Sequence, residues 1–148
     1  RLLGNTRSIV AWIACGAMAG AYEAAVRYTT ERDQFGKKVA HFQLVQEKLS
    51  TMLANLTASL AMTVRLAQQE EAGAYADENS AMTKMFTSLK LRETVALARE
   101  VAGGNGILLE NDVARFFADA EAVYSYEGTH EINSLVVGRA ITGKGAFV

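Results

Sequence analysis

Residues 42–60 read FQLVQEKLSTMLANLTASL, and this stretch decides the fold. Phe42, Val45, Leu49, Met52, Leu53, Leu56 and Leu60 recur mostly at spacings of three and four, the period of one helical face. A helix is therefore read over 41–72. Upstream the same period predicts a helix over 5–33, with Ile9, Ile13, Gly16, Gly20 and Ala24 on one face. Gly16 and Gly20 are expected to let another helix approach closely, and Gly36 fits a terminator. Downstream, a polar loop over 73–79 precedes a helix over 80–102 whose inner face is read as Met82, Met85, Phe86, Leu89 and Ala96. Gly103-Gly104-Asn105-Gly106 is the strongest break in the chain. A shorter helix starts at Asn111 or Asp112 and ends by Glu121, while 122–128 can be extended. The last helix opens at Thr129, a residue whose side-chain oxygen suits an N-cap, with Glu131 in the dipole-favoured first turn. It turns Ile132, Leu135 and Val136 inward and stops at Gly143. Strand signals are nearly absent. The reading is all-α: an up-down four-helix bundle with an additional short helix.

Composition narrows the function classes. The 148 residues are 50% hydrophobic and 21% charged, with net charge −1. That is enough apolar residue for one domain with a real core, and it argues against disorder. Fifteen Lys and Arg against sixteen Asp and Glu leave no basic excess to follow a phosphate backbone, so nucleic-acid binding is disfavoured. The chain has no Pro, which leaves Gly as its strong breaker and favours long helices. A single thiol, Cys15, makes neither an internal disulfide nor a thiolate zinc cage, and His41 and His130 lack metal-site spacing. No metal is expected. The apolar run from Ile9 to Ala21 follows Arg1 and Arg7, and Ala17-Met18-Ala19 imitates a signal-peptide cleavage site. Its helical pattern continues past Glu23 to Arg27, and the run is shorter than a bilayer span. A helix buried in protein is the better reading. The start at Arg1 reads as a piece of something longer.

Three short stretches carry candidate chemistry. Tyr126-Glu127-Gly128-Thr129 sets a carboxylate before a capped helix and beside a Gly that permits close ligand approach, an arrangement suited to a general base. The plain alternative is a solvated Glu in a turn. Arg32-Asp33-Gln34-Phe35-Gly36 closes the first helix. Arg forks onto phosphate and Phe covers a flat ring, but a helix C-terminal Arg, a Gly cap and a buried Phe explain the stretch equally. Gly103-Gly104-Asn105-Gly106 offers backbone N–H groups for an anion or a ribose, or simply a sharp turn. It follows a helix and not a strand, which excludes the usual dinucleotide-binding turn.

Taken in order, Arg32 to Gly36, then Gln43 and Gln46, then Gly103 to Ile107, then Tyr126 to Thr129, the chain resembles the C-terminal domain of the acyl-CoA dehydrogenase flavoproteins. The resemblance covers essentially all of 1–148. Its ending, with Tyr126 to Ile132 and Gly138-Arg139-Ala140-Ile141-Thr142-Gly143, is most similar to the glutaryl-CoA dehydrogenase branch. A group of short-chain acyl-CoA oxidases is nearly as similar, and a helical oligomerisation module without chemistry is the alternative from another class.

The resemblance implies that Glu127 removes the α-proton of an acyl-CoA thioester while a hydride leaves the β-carbon for N5 of FAD. With glutaryl-CoA, decarboxylation to crotonyl-CoA follows. It implies that Arg32 and Phe35 meet the FAD pyrophosphate of a neighbouring subunit, and that Gln43 lies near the adenosine half. Glu100, Gly103 and Gly104 belong to the segment lining the cofactor across the interface, with Glu100 standing where straight-chain members have Gln. Thr129 is implied to contact the flavin. Glu131 stands where many members have Gln, which weakens its cofactor role. Arg7 and Gly128 are implied on the substrate side, and Phe147 near the cofactor. Implied partners are an acyl-CoA, electron-transfer flavoprotein and further copies of the chain, as a dimer or homotetramer, with no membrane. The family also carries an N-terminal helical domain and a middle β domain that nothing here matches. The chain alone is expected to keep the bundle but to have little FAD affinity and no activity. The implied location is the cytoplasm in bacteria, and the mitochondrial matrix or peroxisome in eukaryotes.

Overall fold

A computed structural model describes the backbone of residues 2–146 and the side chains of residues 6–146. Among the described residues there are five α-helices: α1 (Leu2–Glu31), α2 (Gln43–Glu71), α3 (Asp77–Val101), α4 (Val113–Ser125) and α5 (His130–Thr142). A two-residue antiparallel pair, β1 (Asp33–Gln34) and β2 (Lys37–Lys38), joins α1 to the start of α2. The tip of this hairpin, Phe35-Gly36, has φ of 53° and 77°, a left-handed pair in which Gly36 is free of the Cβ penalty. The hairpin is an element the sequence reading lacked. Gly103–Ile107 forms a 3-10 turn, and the open segment 122–128 proves to be mostly helix, since α4 runs on to Ser125.

The first four helices alternate in direction. Ser8 of α1 bonds Glu70 near the end of α2, and Asn55 of α2 meets Thr94 of α3 at 3.4 Å. Arg92 of α3 pairs with Glu121 of α4 at 2.8 Å, and Arg27 of α1 with Asp112 before α4 at 3.2 Å. This is the expected up-down bundle. It is asymmetric in one respect: α1 and α3 run parallel and pack closely on each other, with α2 and α4 on either side and α5 against α3.

The core explains the asymmetry and corrects the expected inner faces. On α1 the buried row is Val10, Ala11, Ala14, Cys15, Met18, Ala21 and Ala25, whereas Ile9 is 59% and Ile13 45% exposed. On α2 the buried residues are Met52, Asn55, Ser59, Thr63 and Leu66, while Leu53 and Leu60 face outward. On α3 the expected Met82 and Leu89 are exposed, and Ser80, Ala81, Thr83, Lys84, Thr87, Ser88 and Leu91 are buried. On α5 Ile132 is exposed and Asn133 is the buried residue. Small residues line the centre because they let backbones approach, and the hydroxyls there bond back to the helix, as Thr63 does to the Ser59 carbonyl at 2.8 Å. Ile9, Ile13, Leu53, Leu60, Met82 and Leu89 point away, whereas Val45, Leu49 and Leu56 of α2 pack against the core cluster.

The two α1 glycines divide. Nothing lies within 4 Å of a Cβ built on Gly16, but one on Gly20 would sit 2.3 Å from the ring tip of Phe116. Gly20 is thus the notch that seats α4, and Gly16 is not a contact point. Thr6–Glu31 is long and apolar enough to cross a membrane by length and composition, longer than the run read from sequence, with 44% of its most apolar window buried inside the bundle.

Filling the notch should be costly. Gly20→Leu is expected to destabilise the bundle by roughly 1–3 kcal/mol, as overpacking does. Phe116→Ala in the same chain should recover most of that loss, since both changes act on one contact. Thermal melts of the two single variants and the double variant measure it; additive losses would contradict the notch.

Candidate active site

Glu127 stands on the turn between α4 and α5. Its φ is 55°, followed by 82° at Gly128. A left-handed residue carrying a Cβ costs about 1–2 kcal/mol, so this conformation persists because its surroundings impose it. Tyr126 stays extended at φ −85° and ψ 171°, and Thr129 caps α5 with its hydroxyl accepting from the Ile132 N–H at 3.4 Å. Two side chains hold the turn from beneath. Lys84 Nζ donates to the carbonyls of Tyr124 at 2.9 Å and Gly128 at 2.8 Å, and Asn133 Nδ2 donates to Gly128 at 2.8 Å and Thr129 at 3.0 Å. A Cβ on Gly128 would come within 3.2 Å of that Asn133 amide, so glycine serves both the dihedral and the contact.

The carboxylate itself is fixed from the far end of the sequence. Thr6 Oγ1, on the first turns of α1, donates to Glu127 Oε2 at 2.7 Å. Arg7 is 6% exposed; its guanidinium reaches Asp77 Oδ1 at 3.2 Å, while its Nε is buried with no partner in the structure. Arg7 is therefore beside the turn but committed to the start of α3. His130 stacks on Tyr124 with centroids 5.5 Å apart, and the Arg92 guanidinium lies 4.3 Å from the other partner of that stack, the Tyr124 ring. The Glu131 carboxyl is held below the usual range first by its own backbone N–H and then by the Thr129 hydroxyl. It belongs to the cap of α5 before it belongs to any ligand.

A second group of expected residues gathers at the opposite end of the bundle. Arg32, Glu100, Gly103 and Gly104 line one open cavity of about 440 Å³ together with Tyr28, Gln34, Val39 and Asn105. Tyr28 Oη accepts from the Asn105 amide at 2.8 Å, which ties α1 to the 3-10 turn. Glu100 is bridged by Lys48 of α2 at 2.9 Å, and that ammonium holds its carboxyl below the ordinary value. Gly103 needs its left-handed φ of 57°. Gly104 has no such need, and nothing lies within 4 Å of a Cβ placed on it. The protein has no internal reason for a glycine there; it leaves bare backbone facing the cavity. Gly106 differs, because its Cβ would strike the Arg99 carbonyl oxygen at 2.5 Å. Phe35 is 90% exposed at the hairpin tip and meets Phe42 edge-on at 6.1 Å, with Gln43 next to it opening α2. Phe35 is not the buried residue of the plain alternative. Phe147 lies outside the described residues.

The structure thus brings together Arg32, Glu100, Gly103 and Gly104, and separately Arg7, Glu127, Gly128, Thr129 and Glu131. The bundle keeps the groups apart: from Arg7 to Arg32 the chain is nearly all α1, on the order of 35 Å at 1.5 Å per residue. Sequence reasoning missed Thr6, Lys48, Lys84 and Asn133. One signal was available for Lys84, whose helical neighbours at three and four positions, Ser80, Ala81, Thr87 and Ser88, are all small. A lysine centred on such a face is enclosed and not solvated.

The chain matches the family described as acyl-CoA dehydrogenase, C-terminal domain, over residues 1–142. It belongs to that family. Among curated relatives, the acryloyl-CoA reductase (NADH) of Anaerotignum propionicum is 34% identical over 128 residues, which cover 86% of this chain and 32% of that protein. Among solved structures, a glutaryl-CoA dehydrogenase from Mycobacterium smegmatis superposes with a TM-score of 0.95 at 34% identity, over 99% of this chain and 38% of that one. A glutaryl-CoA dehydrogenase from the same organism in complex with FADH2 superposes with a TM-score of 0.91 at 33% identity, over 99% of this chain and 38% of that one. This acyl-CoA dehydrogenase domain spans about a third of the length of the curated relatives it matches.

Gly104, which lines the cavity, and the buried Gly106 should respond differently. Gly106→Ala is expected to lower stability by roughly 1–3 kcal/mol, because the new methyl meets backbone that cannot step aside. Gly104→Ala should leave the melting temperature near that of the parent chain. Equal losses in the two melts would contradict the distinction.

Proposed function

We propose that this chain is the proton-abstracting domain of a flavoenzyme that introduces an α,β double bond into an acyl-CoA thioester. Glu127 is the base. The observation that carries the reading is the turn itself: a carboxylate on a left-handed residue, pinned by Thr6, between one helix end and one helix start. A base held in one geometry acts as though at very high local concentration, and acid–base catalysis of this kind contributes about 10²- to 10⁴-fold. The α-proton passes to the Glu127 carboxylate, the Cα–H electron pair forms the new double bond, and a hydride leaves the β-carbon.

FAD supplies the two-electron acceptor for that hydride when bound. The donor set of the second cavity suits it: Arg32 matches a pyrophosphate, the uncovered backbone at Gly104 admits a close approach, and the exposed Phe35 offers a ring face. Thr129 and the N-terminus of α5 lie beside Glu127, where the reacting end of the cofactor belongs. Because the two groups of residues sit at opposite ends of the bundle, one cofactor does not reach both within a single chain. A second copy would supply Arg32, Phe35, Gln43 and Glu100 to the site built around Glu127. The outward apolar rows of α1, α2 and α3 support such an assembly, since patches of that kind mark protein contacts.

The acyl group we read as glutaryl, with decarboxylation to crotonyl-CoA following. Support comes from Glu100, from the run Tyr126 to Ile132, and from the likeness to two glutaryl-CoA dehydrogenase structures. The oxidising partner is then electron-transfer flavoprotein. The remaining parts of the active site belong to polypeptide beyond this domain, and the 148 residues alone are inactive. The enzyme works in the cytoplasm of a bacterium, or in the mitochondrial matrix or peroxisome of a eukaryote.

Glu127→Gln in the whole enzyme tests the base. Flavin content should be unchanged, while the rate of flavin bleaching by substrate falls by about 10³-fold or more. Bleaching near the parent rate at full occupancy would remove Glu127 from the role. Carbon dioxide released in step with crotonyl-CoA from glutaryl-CoA supports the glutaryl reading, and turnover of butyryl-CoA with none of glutaryl-CoA would overturn it.

A further inference from the structure

Lys84 is 0% exposed in the middle of the bundle, and no reading of the sequence gives it a task. A buried ammonium is expensive unless its donors are satisfied. Here it spends two of them on main-chain carbonyls four residues apart: Tyr124, in the last turn of α4, and Gly128, immediately after Glu127. Those carbonyls bracket the residue whose φ is left-handed. One rigid helix therefore grips the turn on both sides of the candidate base, while Thr6 grips its carboxylate and Asn133 the start of α5.

We propose that Lys84 is a positioning residue for the reaction: by clamping the carbonyls of Tyr124 and Gly128 it keeps Glu127 in the left-handed conformation that aims its carboxylate at the α-carbon. The inference rests on Glu127 being the base. Lys84 acts through the backbone: its two hydrogen-bond partners are the carbonyls of Tyr124 and Gly128. Its environment is consistent with a structural charge held at some cost. Burial and then the Arg7 guanidinium lower its pKa to about 8, against the opposing pull of Glu127 and Glu131. Asn133 duplicates one of the two clamps, since it also donates to Gly128, but the Tyr124 carbonyl depends on Lys84 for this side-chain bond. Removing the lysine should loosen the turn without dissolving the helices around it.

The test compares Lys84→Met, Lys84→Gln and Glu127→Gln in the complete flavoenzyme. Lys84→Met keeps the length and apolar stem but no donor; Lys84→Gln keeps an uncharged amide N–H₂ on a shorter stem. We expect Lys84→Met to retain full flavin content and a KM within about threefold of the parent. Its kcat should fall by about 10²-fold, the scale set by a displacement of about 1 Å in a reacting group. The isotope effect with α-deuterated substrate should grow, because proton abstraction becomes rate-limiting. Amide exchange should quicken over 124–130 and stay unchanged elsewhere. Lys84→Gln should lie between the parent and Lys84→Met in each readout, and it carries the test if the methionine variant does not fold. Turnover of both lysine variants within twofold of the parent, with Glu127→Gln inactive, would overturn the clamp and leave the base standing. So would loss of flavin, raised KM and faster exchange throughout the bundle, which are the marks of a merely structural lysine. A Glu127→Gln enzyme of normal turnover would overturn the base and the clamp together.

Discussion

Everything else in this domain depends on how closely α1 and α3 approach. Ala14, Ala21 and Ala25 of α1 share one buried cluster with Leu91, Val95 and Ala98 of α3, and Thr and Ser fill the positions between. Side chains this small place the two parallel helices nearer than Leu and Ile would, at the expense of apolar area buried per residue. Several of the hydroxyls bond within their own helices, as Thr29, Thr83, Thr87 and Ser88 do, and so require no partner across the interface. Closeness between parallel helices has a further effect. It sets the first turns of α1 level with the first turns of α3, which is why Thr6 and Lys84, remote in sequence from Glu127, converge on one turn.

The same geometry divides the functional residues. A rigid bundle some thirty residues long holds its ends apart, and each end has its own chemistry: a carboxylate on a gripped turn at one, an arginine and bare glycine backbone at the other. The two sets of side chains do not meet within one copy of the bundle. Exposed apolar side chains such as Ile9, Leu44, Leu53, Leu89 and Ile141 leave hydrophobic area on the outside of the bundle, the kind of surface that marks protein contacts.

Local features were legible in the sequence because their causes are local. Thr129 caps α5, Gly143 ends it at φ 69°, and the glycine-rich stretch after α3 breaks the chain, each as read. The inner-face residues that were misread share one cause. Periodicity finds an apolar face but does not say which of two candidate faces goes inward, and the usual assumption favours the bulkier one. Here Ile9 and Ile13 of α1, Leu53 and Leu60 of α2, and Met82 and Leu89 of α3 lost to smaller neighbours, because interhelical distance and not side-chain area decided the packing, whereas Met52, Val45, Leu49 and Leu56 of the expected α2 face do reach the core. Gly20 was legible and Gly16 was not, since both lie on the same face and only the arrival of Phe116 distinguishes them. The hairpin at Asp33–Lys38 escaped because strands of two residues have no period to detect. At the candidate sites, Glu127 and the cavity glycines were proposed from ordered motifs, whereas Thr6, 121 residues from its partner, leaves no trace in any window.

The left-handed backbone at Glu127 links the two levels. An ordinary turn placing a glutamate before a helix would choose Asn or Gly at that dihedral, and stability alone gives no reason to keep a γ-carboxylate there. The strain is sustained by contacts from α1, α3 and α5, three elements that meet only because the small-residue core draws α1 and α3 together. A bundle with a conventional leucine core would hold its helices farther apart, and the donors on α1 and α3 would no longer reach the same turn. The sparse core and the strained carboxylate are therefore one design: apolar burial is given up in the centre so that the ends of the helices can fix a single side chain.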